Sequence, residues 1–145
     1  MRVFVLAVTL TGLLYAAAPA SADPGPVSAR SASPPFVDHI SWDQWRSESP
    51  LSSLRVYPTT SGRAAAKQLG SLSPEADEAW AEVLRLAPQA DTPGMRDQFR
   101  CHWDFAENVQ PGKTSWNLEP WRPVVDDATM VTTGCNPGGA HHRDV

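Results

Sequence analysis

The sequence has few of the features that identify a function class directly. Only two of its 145 residues are cysteines, too few for a four-cysteine zinc site or a scaffold built on several disulfides. Acidic residues outnumber basic ones by 16 to 12, which argues against an electrostatic nucleic-acid surface. No P-loop, G-x-G-x-x-G or G-x-S-x-G string is present. We therefore predict no nucleic-acid partner, no metal site, no cofactor and no serine-triad hydrolase.

The first 22 residues have the organisation of a secretory signal peptide. Arg2 supplies a positive start, residues 3–18 form an apolar stretch, and Pro19 ends it before the small-residue triplet 20–22, Ala-Ser-Ala. This order predicts cleavage before Asp23 and a secreted protein, either extracellular or in the cell wall. No apolar run of about 20 residues follows, so we expect no membrane span in the mature chain.

The predicted export bears on the oxidation state of the two cysteines. Cys101 and Cys135 would reach an oxidising compartment, where an even pair is expected to form a disulfide. A bridge that closes a loop of this length contributes roughly 3–4 kcal/mol to the stability of a small domain.

The mature chain divides by composition into three parts. Residues 23–36 are rich in Pro, Ser, Gly and Ala without periodicity, which predicts a disordered leader. Residues 37–139 contain the aromatic and aliphatic residues of a single globular domain, and residues 140–145 are predicted to form a flexible tail.

Two helices stand out within the domain. Ser73 and Pro74 begin the first, which the pattern predicts over 73–87, and Thr92 and Pro93 begin the second, predicted over 92–107. The remaining expectations are a strand at 54–57, a short helix at 63–69, an ordered loop at 116–123, and strand pieces at 124–125 and 129–133. Together they predict an α+β fold, with two main helices packed on a few short strands and one disulfide.

The second helix carries the most informative polar residues. Gln98 and His102 lie one turn apart inside an apolar stripe that also holds Phe99 and Phe105. A histidine in such a stripe is either a general base in a cleft or a buried histidine with a hydrogen-bond partner. The first interpretation gives a small secreted hydrolase in which His102 acts with Glu119 or Asp97.

The tryptophan-rich loop supports a different interpretation. Trp116 and Trp121, with Arg122 beside them, could stack on sugar rings and bind a cell-wall glycan, or contact another extracellular protein. The alternative is that the tryptophans enlarge the core of a small domain.

Several ordered sequence blocks resemble a known family. They are Leu54-x-Val56-x-Pro58-Thr59 with Gly62-Arg63, TPGMRDQFRCH at 92–102, SWNLEPWRP at 115–123, and Cys-Asn-Pro at 135–137. The chain thereby resembles, over about residues 45–138, the exported actinobacterial proteins of domain-of-unknown-function family 2599. The resemblance implies export, a small single domain and a cysteine pair, and it implies no activity.

The sequence favours a non-catalytic binding module of the cell envelope or the extracellular space, because it contains no complete catalytic set. The hydrolase remains the alternative interpretation at this level.

Overall fold

A three-stranded antiparallel sheet, with helices against one face, forms the centre of the protein. The structure is a computed structural model that describes residues 32–44, 51–68 and 73–138. Strands β1 (Val37–Gln44), β2 (Ser52–Pro58) and β3 (Trp116–Leu118) lie in the order β1-β2-β3. The helices described are α1 (Thr60–Ala66), α2 (Pro74–Leu86), α3 (Pro93–Val109) and α4 (Asp127–Thr132), with a 3-10 turn at Pro88–Ala90. The predicted α+β class, with two long helices, is confirmed.

The register of the sheet places alternate apolar residues on the face that meets the helices. Leu54 and Val56 of β2 lie opposite Leu118 and Trp116 of β3, and all four side chains are fully buried. β3 comes from a segment that was expected to be a loop. With only three residues, it contains too few alternations to show a strand period in the sequence.

Both long helices begin where the sequence predicts. The Ser73 side chain accepts a hydrogen bond from the backbone N–H of Ala76 at 3.2 Å, and Thr92 accepts one from Met95 at 3.4 Å. These bonds satisfy backbone donors that have no partner inside the helix. α2 ends at Leu86 before Pro88, and α3 continues to Val109, two residues beyond the predicted end.

The core is an aromatic cluster between these helices and the sheet. The rings of Phe99 and Trp103 on α3 lie 6.0 and 5.9 Å from the ring of Trp116 on β3. Phe36 meets Trp103 edge-on at 5.8 Å, and Trp80 of α2 lies 5.3 Å from Phe99. Such offset and edge-on pairs add about 0.5–1.5 kcal/mol each beyond the area that they bury.

Two buried carboxylates connect the helices to distant parts of the backbone. Glu82 of α2 accepts hydrogen bonds from the N–H groups of Phe36 and Val37 at 2.8 and 2.7 Å, which fixes the start of β1. Glu107 of α3 pairs with Arg63 of α1 and accepts from the N–H of Gly112 at 3.2 Å. A buried carboxylate is tolerated because these donors replace its hydration.

The predictions of strand pieces at 124–125 and 129–133 were wrong: residues 124–125 lie in an irregular segment, residues 129–132 lie in α4, and Thr133 is the C-cap of that helix. Asp126 caps the helix by accepting a hydrogen bond from the N–H of Thr129 at 2.7 Å. Gly134 follows the helix with a φ of 62°, a left-handed conformation typical of a helix end. The β-branched residues there indicated a strand, but local capping outweighs that weak preference. The short helix predicted at 63–69 lies earlier, at Thr60–Ala66.

A disulfide between Cys101 and Cys135 joins α3 to the segment after α4, with Cα atoms 5.6 Å apart. The predicted bridge is therefore present.

The predicted signal peptide and tail, 1–22 and 140–145, lie outside the described residues. Of the predicted leader 23–36, residues 32–36 are described, and Phe36 is buried in the core. The packed part of the chain therefore includes residues that the sequence assigns to the leader. Within the ranges given above, no helix is both long and apolar enough to cross a membrane.

Gly62 is the position at which α1 lies against the backbone of Phe36. A Cβ atom there would overlap the carbonyl oxygen of Phe36 and lie 3.0 Å from its carbonyl carbon. We expect Gly62→Ala to lower the free energy of unfolding by about 3 kcal/mol, because backbone must move to make room. Urea denaturation of the oxidised protein measures this change.

The matched control is Gly94→Ala in the first turn of α3. Its new methyl group would lie 3.4 Å from Val124 Cγ2, a contact that a side chain can accommodate. We expect a change within about 1 kcal/mol, since Ala favours a helix over Gly. Equal destabilisation by both substitutions would contradict the close-approach explanation.

Candidate functional site

His102 is a buried structural contact between α3 and β3. Its side chain is almost fully enclosed, and Nε2 lies 3.1 Å from the backbone oxygen of Asn117. A carbonyl oxygen only accepts hydrogen bonds, so Nε2 carries the proton and donates it. Nε2 is therefore committed to the backbone, and the lone pair of the ring is on Nδ1.

Gln98, one turn earlier, binds the same strand in a complementary way. Its amide nitrogen donates to the backbone oxygen of Glu119 at 3.0 Å, and its amide oxygen accepts from the N–H of Glu119 at 2.9 Å. Gln98 also donates to the carbonyl of Gly94 at 3.1 Å. β3 lies at an edge of the sheet, where backbone groups would otherwise lack partners. The polar pair in the apolar stripe thus completes the hydrogen bonding of this edge.

The surroundings of His102 keep its imidazole neutral. Burial, the largest influence, lowers its pKa to about 4, and the positive charges of Lys113 and Arg122 act in the same direction. The bond to Asn117 opposes the shift but does not reverse it. With a pKa this low the imidazole is a weak base near neutral pH, and its N–H holds β3 against α3.

Glu119 is held in a buried ion pair. Its carboxylate lies 2.6 Å from Nε of Arg122 and accepts from the hydroxyl of Ser53 at 3.0 Å. Arg122 in turn donates to the backbone oxygen of Pro137 at 2.9 Å. This network joins β2, the segment after β3 and the C-terminal end of the described chain.

The tryptophans of the predicted binding loop have different positions. Trp116 is fully buried between Phe99 and Trp103, so neither face of its indole is open to a ligand. Trp121 is half-buried, and its indole N–H donates to the backbone oxygen of Ser52 at 3.1 Å. The guanidinium of Arg122 lies 4.6 Å from the centre of the Trp121 ring, in a cation–π contact.

Asp97 does not join His102 and Glu119. Asp97 is five positions before His102 on α3, so the two side chains point about 140° apart. Asp97 instead lines a groove between α3 and α4. Asp97 and the buried His102 thus line different parts of this groove, whereas Glu119 lies in the interior.

The groove consists of two adjoining depressions. The first encloses about 470 Å³ and contains Asp97 and Asp127; the second encloses about 220 Å³ and contains Val109 and Lys113. Phe105, Val131 and Cys101 of the disulfide line both. Among the residues that the structure describes, no group of three or more His, Cys, Asp or Glu side chains is arranged to hold a metal ion.

The apolar rim of this groove was not predicted from the sequence. Phe105 was expected in the buried stripe of α3, but its side chain is 38% exposed, and Val131 and Val109 are 47% and 81% exposed. Phe105 lies at the border of the stripe, where only the position of α4 decides whether a side chain is covered. The only indication of this rim in the sequence was that Val109 lies just beyond the predicted end of the helix.

Comparison with known proteins identifies the family. A family described as "Protein of unknown function (DUF2599)" matches residues 37–138. The chain belongs to this family. It is 56% identical over 138 residues to an uncharacterised protein of Mycobacterium tuberculosis strain H37Rv, covering 92% of this chain and 90% of that protein. An uncharacterised protein of Mycobacterium leprae is 54% identical over 104 residues, which cover 72% of this chain and 80% of the relative.

The resemblance to an actinobacterial family is thus confirmed, and these names state no activity. No solved structure matches the chain significantly.

The buried imidazole predicts a specific dependence of the protein's stability on pH. Between about pH 6.5 and 4 the unfolded chain binds a proton at His102 that the folded chain does not, so acid favours unfolding. This contribution to stability is complete above pH 6.5 and is lost as the pH falls towards 4, by about 3 kcal/mol in total. We expect His102→Gln, which can still donate to Asn117, to show a smaller loss. Urea denaturation at a series of pH values measures it.

The matched control is His39→Gln, which removes an exposed histidine. This substitution leaves the buried imidazole of His102 in place, so the loss of stability below about pH 6.5 should remain. If His102→Gln and the native protein lose stability in parallel, the neutral buried imidazole is ruled out.

Proposed function

We propose that this protein is an exported, non-catalytic domain that binds another extracellular protein through the groove between α3 and α4. The observation that carries the proposal is the exposed apolar rim formed by Phe105, Val109 and Val131. Contiguous apolar side chains around a concave surface are typical of a binding site.

The positions and contacts of the side chains considered for catalysis favour a binding role over hydrolysis. The proton of His102 is donated to a backbone carbonyl, and the carboxylate of Glu119 is neutralised by Arg122 inside the protein. A general base must come within hydrogen-bond reach of a substrate proton. His102 lines the second depression but is only 3% exposed, and Glu119 is 6% exposed, so little of either side chain is available to a substrate.

The character of the groove supports a protein ligand rather than a glycan. Glycan binding requires an open aromatic face for a sugar ring, and Trp116 offers none. The groove instead presents two valines and the edge of a phenylalanine, which suit the aliphatic side chains of a polypeptide.

Two features support an extracellular location. Residues 1–22 have the order of a signal peptide, and the only two cysteines are joined in a disulfide next to the groove. Disulfides persist in oxidising compartments, so the same bond that shapes the proposed binding surface suits an exported protein.

Export is tested by the mass of the protein found outside an actinobacterial host that expresses the full chain. We expect a product that begins at Asp23 in the culture medium or the cell wall, because signal peptidase requires small residues before the cleaved bond. Ala22→Phe should block cleavage, and Ala22→Ser is the matched control that keeps a small side chain. An intact N-terminus on a protein retained in the cytoplasm would refute export.

Binding is tested by selecting displayed random peptides on the immobilised, oxidised protein. We expect Val131→Asp to weaken binding of the selected peptides at least tenfold, since a charge replaces an apolar contact that both depressions share; this corresponds to about 1.4 kcal/mol. Fluorescence anisotropy measures the affinities. The control is Leu86→Asp, at an exposed apolar residue of α2 outside the groove. Failure to enrich any peptide, or equal affinity for both variants, would argue against this binding surface.

A further inference from the structure

The first depression of the groove carries carboxylates that lack a counter-charge. Asp97 and Asp127 both line it, and neither forms a hydrogen bond from its side chain or an ion pair with the described part of the chain. Arg100 is the basic residue that lines this depression, and it is already engaged: its guanidinium lies 3.7 Å from Asp104 and 3.9 Å from Asp77.

The two free carboxylates also influence each other. The pKa of Asp97 is raised, first by burial and second by the negative charge of Asp127, with Arg96 acting in the opposite direction. Two like charges that face one depression repel each other, and a cation placed between them relieves that repulsion. The depression is therefore complementary to a positively charged group.

The second depression has a different character. Phe105, Ala106, Val109 and Val131 line it. Lys113 also lines it and has no ion-pair partner within the described ranges. Phe105 and Val131 border both depressions, so a single ligand that crosses them can occupy the two together.

The distance between the depressions limits the spacing of ligand groups. From Asp97 to Ala106, α3 rises about 13 Å at 1.5 Å per residue. An extended chain covers that length with about four residues and directs residues i and i+4 to the same side. The groove is therefore long enough for a short extended peptide segment.

We propose that the partner of this groove is an extended segment of another protein that presents a basic residue and an aliphatic residue about four positions apart. The basic side chain lies between Asp97 and Asp127, and the aliphatic side chain lies in the second depression against Phe105 and Val131. This inference rests on the proposed function, and it specifies the chemical class of the ligand at that site.

The probe is the peptide acetyl-Gly-Arg-Ser-Gly-Ser-Leu-Gly-amide, titrated into the isotope-labelled, oxidised protein and followed by amide chemical shifts. We expect shifts on α3 and α4 and at least tenfold weaker binding when citrulline, a neutral analogue of the same shape, replaces the arginine. The preference for arginine should decrease at high salt, because ionic screening weakens it.

The double variant Asp97→Asn and Asp127→Asn tests the named carboxylates. It should bind the arginine and citrulline peptides equally, within about twofold. The charge-matched control is Glu75→Gln with Glu78→Gln on α2, outside the groove, which should keep the preference. Unchanged thermal unfolding confirms that each variant is folded. A preference for arginine that survives in the Asp97 and Asp127 variant would overturn the assignment.

The outcomes separate this inference from the proposed function. Groove shifts of equal strength with arginine and citrulline would overturn the basic-residue requirement while leaving a groove-binding domain in place. Failure of every library-selected peptide to bind the groove would instead overturn the proposed function. If a chain that ends at Gly138 binds the probe at least tenfold more tightly, the occupant of the groove is the chain's own terminus rather than a separate partner. If ultracentrifugation shows dimers held through the groove, the occupant is a second copy of the chain.

Discussion

The contact between α3 and β3 is the constraint on which the rest of the structure depends. A strand of three residues has too few ladder bonds to be held by the sheet alone. α3 holds it twice: Phe99 and Trp103 pack on Trp116, while Gln98 and His102 bind the backbone at the outer edge of the strand. The position of β3 in turn determines where Glu119 and Arg122 lie, and through Arg122 it positions the backbone at Pro137.

Three buried carboxylates of this protein connect distant parts of the chain. Glu82, Glu107 and Glu119 each lie in the interior, and each connects an element to a partner far away in the chain. Their donors compensate the cost of removing a carboxylate from water. In a small domain such bonds fix relative positions that a limited apolar core leaves loosely determined. The proposed binding surface between α3 and α4 lies outside these contacts.

The two long helices could be predicted because their signals are local. Ser73 and Thr92 stand directly before prolines, and the apolar period follows within a few residues. β3 could not be predicted, because its pairing partner lies some 60 residues earlier, in β2. α4 was misread because Thr129, Val131 and Thr132 favour strands, whereas the Asp126 cap and the disulfide at Cys135 hold the segment as a helix.

The sequence by itself determined the long helices, the α+β class, the cysteine pair and membership of the family, since each depends on neighbouring residues or on ordered motifs. It also narrowed His102 to two roles, a general base or a buried histidine with a partner. Only the tertiary structure supplies a partner for it, the backbone oxygen of Asn117, because a backbone carbonyl is a group that every residue carries and no sequence pattern marks. The groove also depends on the tertiary structure, because the exposure of Phe105 and Val131 depends on where the disulfide places α4 against α3.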